Sequence, residues 1–330
     1  MTVLGWSSRG RIDIRPGPGM AEAMKAIAIN RYGGPEVVEY TDLPDPKVGP
    51  DSVLVQMRAA GVNPVDWKIR DGALDGLLDV HFPLVMGWDL AGVVRAVGGG
   101  VTEFAPGDEV YGYVRKDTVE HGTYAELVSA PVRTLARKPA ALDWAQAGGL
   151  PLAGLTALQS LKALRLRAGE TLLVHAAAGG VGHLAVQIAR ALGARVIGTA
   201  GERNHDYLRG LGAEPVLYGE GLADRVRALA PGGVDAALDL VGHGAVPLSA
   251  SLVADQSRIA SITDFGVKAL GGHYVWVRPD AADLAELAAL ADDGRLTVTV
   301  ASTFPLAQAA SAQALSAEGR TRGKIVLLAD

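Results

Sequence analysis

Apolar positions along the chain keep two different rhythms. Up to about Val132 they come as short runs separated by close turns and many glycines, with strands predicted over residues 24–29, 37–40 and 52–60. Runs of that kind belong to an antiparallel or barrel-like β unit. After Ala140 strands and helices alternate, the pattern of a parallel sheet covered by helices. The clearest stretch spans residues 171–204. Thr171 to Ala176 have the length and composition of a buried parallel strand. Leu184, Ile188 and Leu192 then recur at helical spacing with Ala185 and Ala189 beside them, and Gly193 is placed to end that helix. Residues 195–199 return as a second strand. Further strands are predicted over 234–242, 257–263, 273–277, 297–301 and 324–328, and Leu284, Leu287, Leu290 and Ala291 mark the stripe of a helix.

The turn between the first strand and its helix reads Ala177-Ala178-Gly179-Gly180-Val181-Gly182. It matches the dinucleotide fingerprint, with Ala177 in the first glycine position and Gly179 and Gly182 in the second and third. Without a Cβ, Gly179 lets a pyrophosphate approach the backbone, and Gly182 lets helix and strand pack closely. The helix N-terminus then aims unpaired N–H groups and a partial positive charge at the phosphates. Ala178, Gly179, Gly180, Val181 and Gly182 are therefore candidate cofactor contacts. An NAD site usually places Asp or Glu at the end of the second strand to accept from the ribose 2′-OH. This chain reads Thr199-Ala200-Gly201-Glu202-Arg203-Asn204 there. The strand end is small and uncharged, which leaves room for a 2′-phosphate, and Arg203 can meet it with a fork of donors. NADPH is the expected cofactor; a one-position shift in register would instead make Glu202 the ribose acceptor.

Composition narrows the class without naming it. A chain of 330 residues has room for two domains and a large core. A net charge of −5 leaves no footprint for nucleic acid or a membrane surface. There is no cysteine, which excludes disulfides and cysteine-ligated metal and fits a reducing, cytoplasmic setting. Residues 1–23, with a Gly/Pro cluster before Met20, read as a flexible leader lacking a signal-peptide core or a membrane span. The histidines show no metal spacing, and His175 and His183 read as satisfied structural residues. Gly319 to Lys324 mimics a P-loop, but it is one residue short and a strand follows it.

Several segments together carry a resemblance: GVNPVDWK at 61–68, PLVMGWDLAGVV at 83–94, GDEVYG at 107–112, GTYAE at 122–126, LPLAGLTA at 150–157 and RGKIVL at 322–327. In this order they resemble the medium-chain dehydrogenase/reductase superfamily, in its zinc-free quinone oxidoreductase branch. The NPVDxK wording of residues 63–68 is similar to the plant-type enone and alkenal reductases. The resemblance implies an α/β fold, a Rossmann doubly wound parallel sheet plus a GroES-like β-barrel catalytic domain. The barrel would take residues 24–148 and 294–330, and the NADP-binding domain 149–293.

The same resemblance implies roles. The zinc relatives' ligand cysteine falls on Asn63 and their ligand histidine on Trp88, whose indole N–H is a donor only; no metal is expected. Without a Lewis acid, alcohol oxidation loses the group that lowers the pKa of a bound hydroxyl. What remains suits hydride transfer to a quinone or to the β-carbon of an α,β-unsaturated carbonyl, helped by positioning and by donors on the carbonyl oxygen. Asn63 as an amide donor and Lys68 as a cation for a developing enolate are the catalytic candidates. Their bland readings are a turn residue before proline and a solvated charge. Asp66 and Asp89 read as caps or braces. Thr156 by the nicotinamide, Tyr218 over the adenosine ribose or its 2′-phosphate, Val241 and Gly242 at a strand end, and Lys324 near the cofactor phosphate complete the cofactor set. A homodimer is expected through residues 273–277, edge to edge. Two alternatives stay open: an enoyl reductase acting on a polyketide-like intermediate, and a low-turnover NADPH-binding structural or regulatory protein.

Overall fold

The computed structural model describes residues 23–329; of the leader expected over residues 1–23, residues 1–22 lie outside the described residues and Ala23 already belongs to a strand. The first strand, Ala23–Ile29, begins one residue before Met24.

One half of the fold is a six-stranded parallel sheet. Thr171–Val174 lies inside it, between Arg195–Ala200 and Ala236–Asp239; Glu214–Leu217 continues on one side, and Ile259–Ser261 and His273–Tyr274 on the other. The strands are near-continuous apolar runs because helices cover both faces, and all four residues of Ala236–Asp239 are buried. Strand order reverses between Thr171–Val174 and Ala236–Asp239, which opens the crevice where ligands bind in doubly wound sheets. The helix Gly182–Ala191 turns Leu184, Ala185, Ile188 and Ala189 inward and starts beside that crevice. Gly182 is required by contact: a Cβ there would lie 2.3 Å from the carbonyl oxygen of Ala176.

The other half is the β-barrel part. Its larger sheet runs Val300–Pro305, Lys324–Leu328, Ser52–Val62, Asp89–Val97, Glu109–Tyr113 and Leu135–Arg137, with Leu127–Pro131 also paired to Ser52–Val62. A four-stranded sheet of Glu39–Pro44, Ala23–Ile29, Asp79–Val85 and Thr118–His121 closes against it. The chain thus returns to its first half at the end. The antiparallel register Val62↔Ile325 sets Asn63 next to Lys324.

Three expected strands are displaced. In place of residues 37–40 there is a 3₁₀ turn, Pro35–Val37, and then the strand Glu39–Pro44. That strand lies at a sheet edge with every residue at least partly exposed, so no apolar run marks it. Residues 273–277 supply only His273–Tyr274; Val275 still donates its N–H to Ser261 O at 2.9 Å, and Val275 and Val277 then line a cavity. Residues 297–301 give a strand only from Val300, because Thr297 and Thr299 bond to Gln187 and His183 instead. Among the described residues no helix is long and apolar enough to cross a membrane.

Candidate active site

Two adjoining cavities, of 1070 and 490 Å³, lie along the fingerprint and share Ala176, Gly179 and Val241 in their walls. Every candidate catalytic or cofactor-binding residue named from the sequence lines one or both of them. The larger cavity takes Ala178, Gly179, Arg203, Tyr218, Val241 and Gly242. The smaller takes Asn63, Lys68, Thr156, Gly179, Gly180, Val181, Gly182, Val241 and Lys324.

The larger cavity has a cationic end. Arg203 Nη2 donates to Arg320 O at 3.3 Å, while Arg322 donates to Asn204 Oδ1 and Arg203 O at 2.9 and 3.0 Å and stacks on the Tyr207 ring at 4.9 Å. Among the described residues none of these three arginines has a carboxylate partner. Glu202 lines the same cavity, on a 3₁₀ turn that starts two residues past the strand end at Ala200. The opposite loop is held rigidly: Asp239 Oδ1 accepts from the N–H groups of Val241 and Gly242 at 2.9 and 2.8 Å, and its Oδ2 from the hydroxyls of Ser261 and Thr263 at 2.7 and 3.0 Å.

Two buried histidines flank the fingerprint. The backbone N–H of Thr299 donates to His183 Nε2 at 3.3 Å, so the ring proton sits on Nδ1 and donates to Gly179 O at 3.0 Å. Burial pushes the His183 ring down to about 4, the Lys324 charge adds to this, and the Gly179 bond opposes it. His175 pairs with Ser249 Oγ at 2.9 Å, and burial pushes it down to about 4 as well.

In the smaller cavity Asn63 precedes the helix Pro64–Arg70, where proline at the first helical position costs no hydrogen bond. Its backbone N–H donates to Asp66 Oδ2 at 2.8 Å, and Tyr124 OH donates to the same oxygen at 2.7 Å. Its Nδ2 donates to Asp89 Oδ2 at 2.8 Å, and its Oδ1 accepts from Lys324 Nζ. Lys324 Nζ also donates to Val62 O at 3.2 Å and stands 3.7 Å from Asp89 Oδ2. Asp89 Oδ1 accepts from Leu152 N at 2.7 Å in the first turn of the helix Pro151–Ala163, where the helix dipole favours an anion. All five side chains of this cluster are buried. Burial pushes the Asp66 carboxyl up to about 7 against the opposing bonds from Tyr124 and Asn63. Burial also lifts Asp89 and lowers Lys324, and each offsets the other's shift.

Thr156 donates its hydroxyl to Leu152 O at 2.7 Å within its own helix. Lys68 is exposed at the cavity wall, its ammonium 5.6 Å from the Trp67 ring centre. Strand pairing turns the Lys324 side chain inward toward Asn63, and its Cδ lies 3.3 Å from where a Cβ on Gly180 of the fingerprint would stand. Sequence reasoning missed Tyr113, which lines the smaller cavity and meets Trp88 edge to face at 5.9 Å. The last four residues of Glu109–Tyr113 are all buried, so no alternation shows which of them faces the cavity. Arg320, one of the basic residues of the 319–324 segment, lines the larger cavity.

Two family models match: the alcohol dehydrogenase GroES-like domain over residues 49–140 and zinc-binding dehydrogenase over residues 211–327. The chloroplast envelope quinone oxidoreductase homolog of Arabidopsis thaliana is 33% identical, covering 92% of this chain and 98% of that protein. The chloroplastic NADPH-dependent alkenal/one oxidoreductase of the same plant is 30% identical over 97% of this chain and 83% of its own. Among solved structures, the quinone oxidoreductase from Coxiella burnetii superposes with a TM-score of 0.81 at 33% identity, over 93% of this chain and 99% of that one.

Proposed function

This chain belongs to the medium-chain dehydrogenase/reductase superfamily, in its quinone oxidoreductase branch, and on that footing we propose that it reduces a quinone or the C=C of an α,β-unsaturated carbonyl with NADPH and without zinc. It is an oxidoreductase of a pyridine-nucleotide-dependent family. The observation that carries the finer reading is the meeting of the two cavities at the fingerprint, with unpaired arginines at one end and the Asn63 carboxamide at the other.

The residues present fit the cofactor. Gly179 lines both cavities without a Cβ to keep a pyrophosphate from its backbone, Gly180 to Gly182 lead from there into the helix Gly182–Ala191, and Arg203 with Arg320 gives a 2′-phosphate the countercharge it needs. They do not fit zinc. Asn63 Oδ1 already accepts from an ammonium, Trp88 has no lone pair to give, and the nearby Asp89 is committed to Asn63 and Leu152. Bound NADPH supplies a hydride from its nicotinamide ring. The protein's part is to hold the acceptor carbon beside that ring and to stabilise charge growing on the carbonyl oxygen. Asn63 has an N–H for that oxygen, and Lys68 adds a cation from the mouth. Trp88, Tyr113 and Trp276 give the cavity flat apolar walls suited to a conjugated substrate. The division into a barrel domain of residues 24–148 and 294–330 and an NADP domain of 149–293 is part of the same proposal.

Cofactor choice tests it. A 2′-phosphate meeting Arg203 gains roughly 1.5–3 kcal/mol, or about ten- to a hundredfold in affinity. NADPH should therefore exceed NADH by at least about tenfold in kcat/KM. Arg203→Ala should remove most of that preference by weakening NADPH and leaving NADH nearly unchanged. The same assays on Lys68→Met should show slower turnover with unchanged NADPH binding. A wild type that prefers NADH, with NADH weakened by Glu202→Ala, would assign Glu202 to the ribose and reject the reading.

A further inference from the structure

We propose that Lys324 and Asp89 are positioning residues that hold the Asn63 carboxamide in one of its two flip states, leaving its second N–H for the substrate carbonyl. A carboxamide has an oxygen and a nitrogen of nearly equal shape, so contacts alone do not decide which faces which way. Here two charged side chains decide it. Oδ1 faces the Lys324 ammonium and Nδ2 faces the Asp89 carboxylate at 2.8 Å. A flipped Asn63 would set oxygen against carboxylate and amide N–H against ammonium, two repulsions in a site where all three residues are at most 3 % exposed. Low local dielectric strengthens both the native bonds and the penalty for reversing them.

The amide nitrogen carries two hydrogens, and among the described residues only one has an acceptor, Asp89. Asn63 lines the 490 Å³ cavity, so the second hydrogen is available there. An oxygen that accepts from a cation also polarises its own amide, which makes the remaining N–H a better donor to a developing enolate. Lys324 itself is committed to Val62 O and Asn63 Oδ1 and stands next to Asp89, so it acts through Asn63 and not on the substrate. Its place is fixed from both halves of the fold. Its backbone N–H donates to Thr299 O at 2.8 Å, the register Val62↔Ile325 sets it beside Asn63, and its stem passes under Gly180 of the fingerprint.

This inference rests on the reading of Asn63 as the carbonyl donor, and a double-mutant cycle separates the two. Turnover of methyl vinyl ketone and of 1,4-naphthoquinone would be measured for wild type, Asn63→Ala, Lys324→Met and the double variant, with NADPH affinity followed by fluorescence titration. Asn63→Ala should lower kcat by about a hundredfold, the size of effect seen when one oxyanion donor is removed. Lys324→Met should lower kcat by about tenfold with NADPH affinity kept within about twofold, and the double variant should be no slower than Asn63→Ala alone. If Lys324→Met does not fold, Asp89→Asn enters the same cycle with the same expectation. Losses that multiply in the double variant, or a loss that appears in NADPH affinity and not in kcat, would overturn the positioning role. An Asn63→Ala enzyme with wild-type kcat would instead overturn the reading beneath it.

Discussion

His175 and His183 are buried as neutral rings and Asp66 as a carboxyl that titrates near neutrality, and these three groups pull stability in opposite directions as pH changes. Each histidine falls from an ordinary value near 6.5 to about 4, so its contribution is full above 6.5 and is lost as pH falls. Asp66 rises from 3.8 to about 7, so its contribution is full at low pH and is lost as pH climbs toward 7. Between about pH 5 and 6.5 each of these histidines takes up a proton on unfolding, so removing one should lower the slope of stability against pH by up to about 1.4 kcal/mol per unit. Urea unfolding across that window should show a smaller slope in His183→Gln than in wild type. Equal slopes in the two proteins would contradict the burial of His183 as a neutral ring. Asn63 itself was legible, because it stands in a recognisable segment. Its partners were not: Asp89 is 26 residues away and Lys324 is 261, and no local pattern says which cation the chain will fold back onto it.

Among the elements, the strand–turn–helix around Gly182 holds the turn that lines both cavities. A methyl group at residue 182 would lie 2.3 Å from Ala176 O and 2.7 Å from Ala177 Cα, both backbone atoms that have nowhere to move. Gly182→Ala should therefore lower the melting temperature and abolish NADPH binding in a titration. Undiminished binding in that variant would mean the turn can open without cost. This unit was readable because two demands agree in its sequence: buried parallel strands need unbroken apolar runs, and the helix between them needs one apolar stripe. The strand at His273–Tyr274 was read too long for the converse reason. Val275 and Val277 are apolar because they line a cavity, and an apolar run does not distinguish a cavity wall from a strand.

At the scale of the molecule, the two halves are tied together where the chain returns. Gln187 bonds Thr297 through both ends of its carboxamide, His183 accepts from Thr299 N, Tyr207 shares a hydrogen with Thr299 Oγ1, and Gly323 N donates to Ala178 O. The helix that starts at the fingerprint is thus fixed to the strands that bring Lys324 to Asn63. The outer edge of the parallel sheet ends at His273–Tyr274, where Phe265 stacks on Tyr274 at 3.7 Å and remains 61 % exposed. We propose that this edge pairs with a second copy as a homodimer, and sedimentation showing only monomer at micromolar concentration would reject that.

Metal-free hydride delivery to an activated carbon can be read out directly by one isotope experiment. Enzyme treated with a strong chelator would turn over an enone with NADPH deuterated at the transferring face of C4. Mass spectrometry and NMR of the product should place the deuterium on the β-carbon, with activity equal to that of untreated enzyme. Activity lost with stoichiometric zinc and restored by adding it, or deuterium found on the carbonyl carbon, would contradict the account.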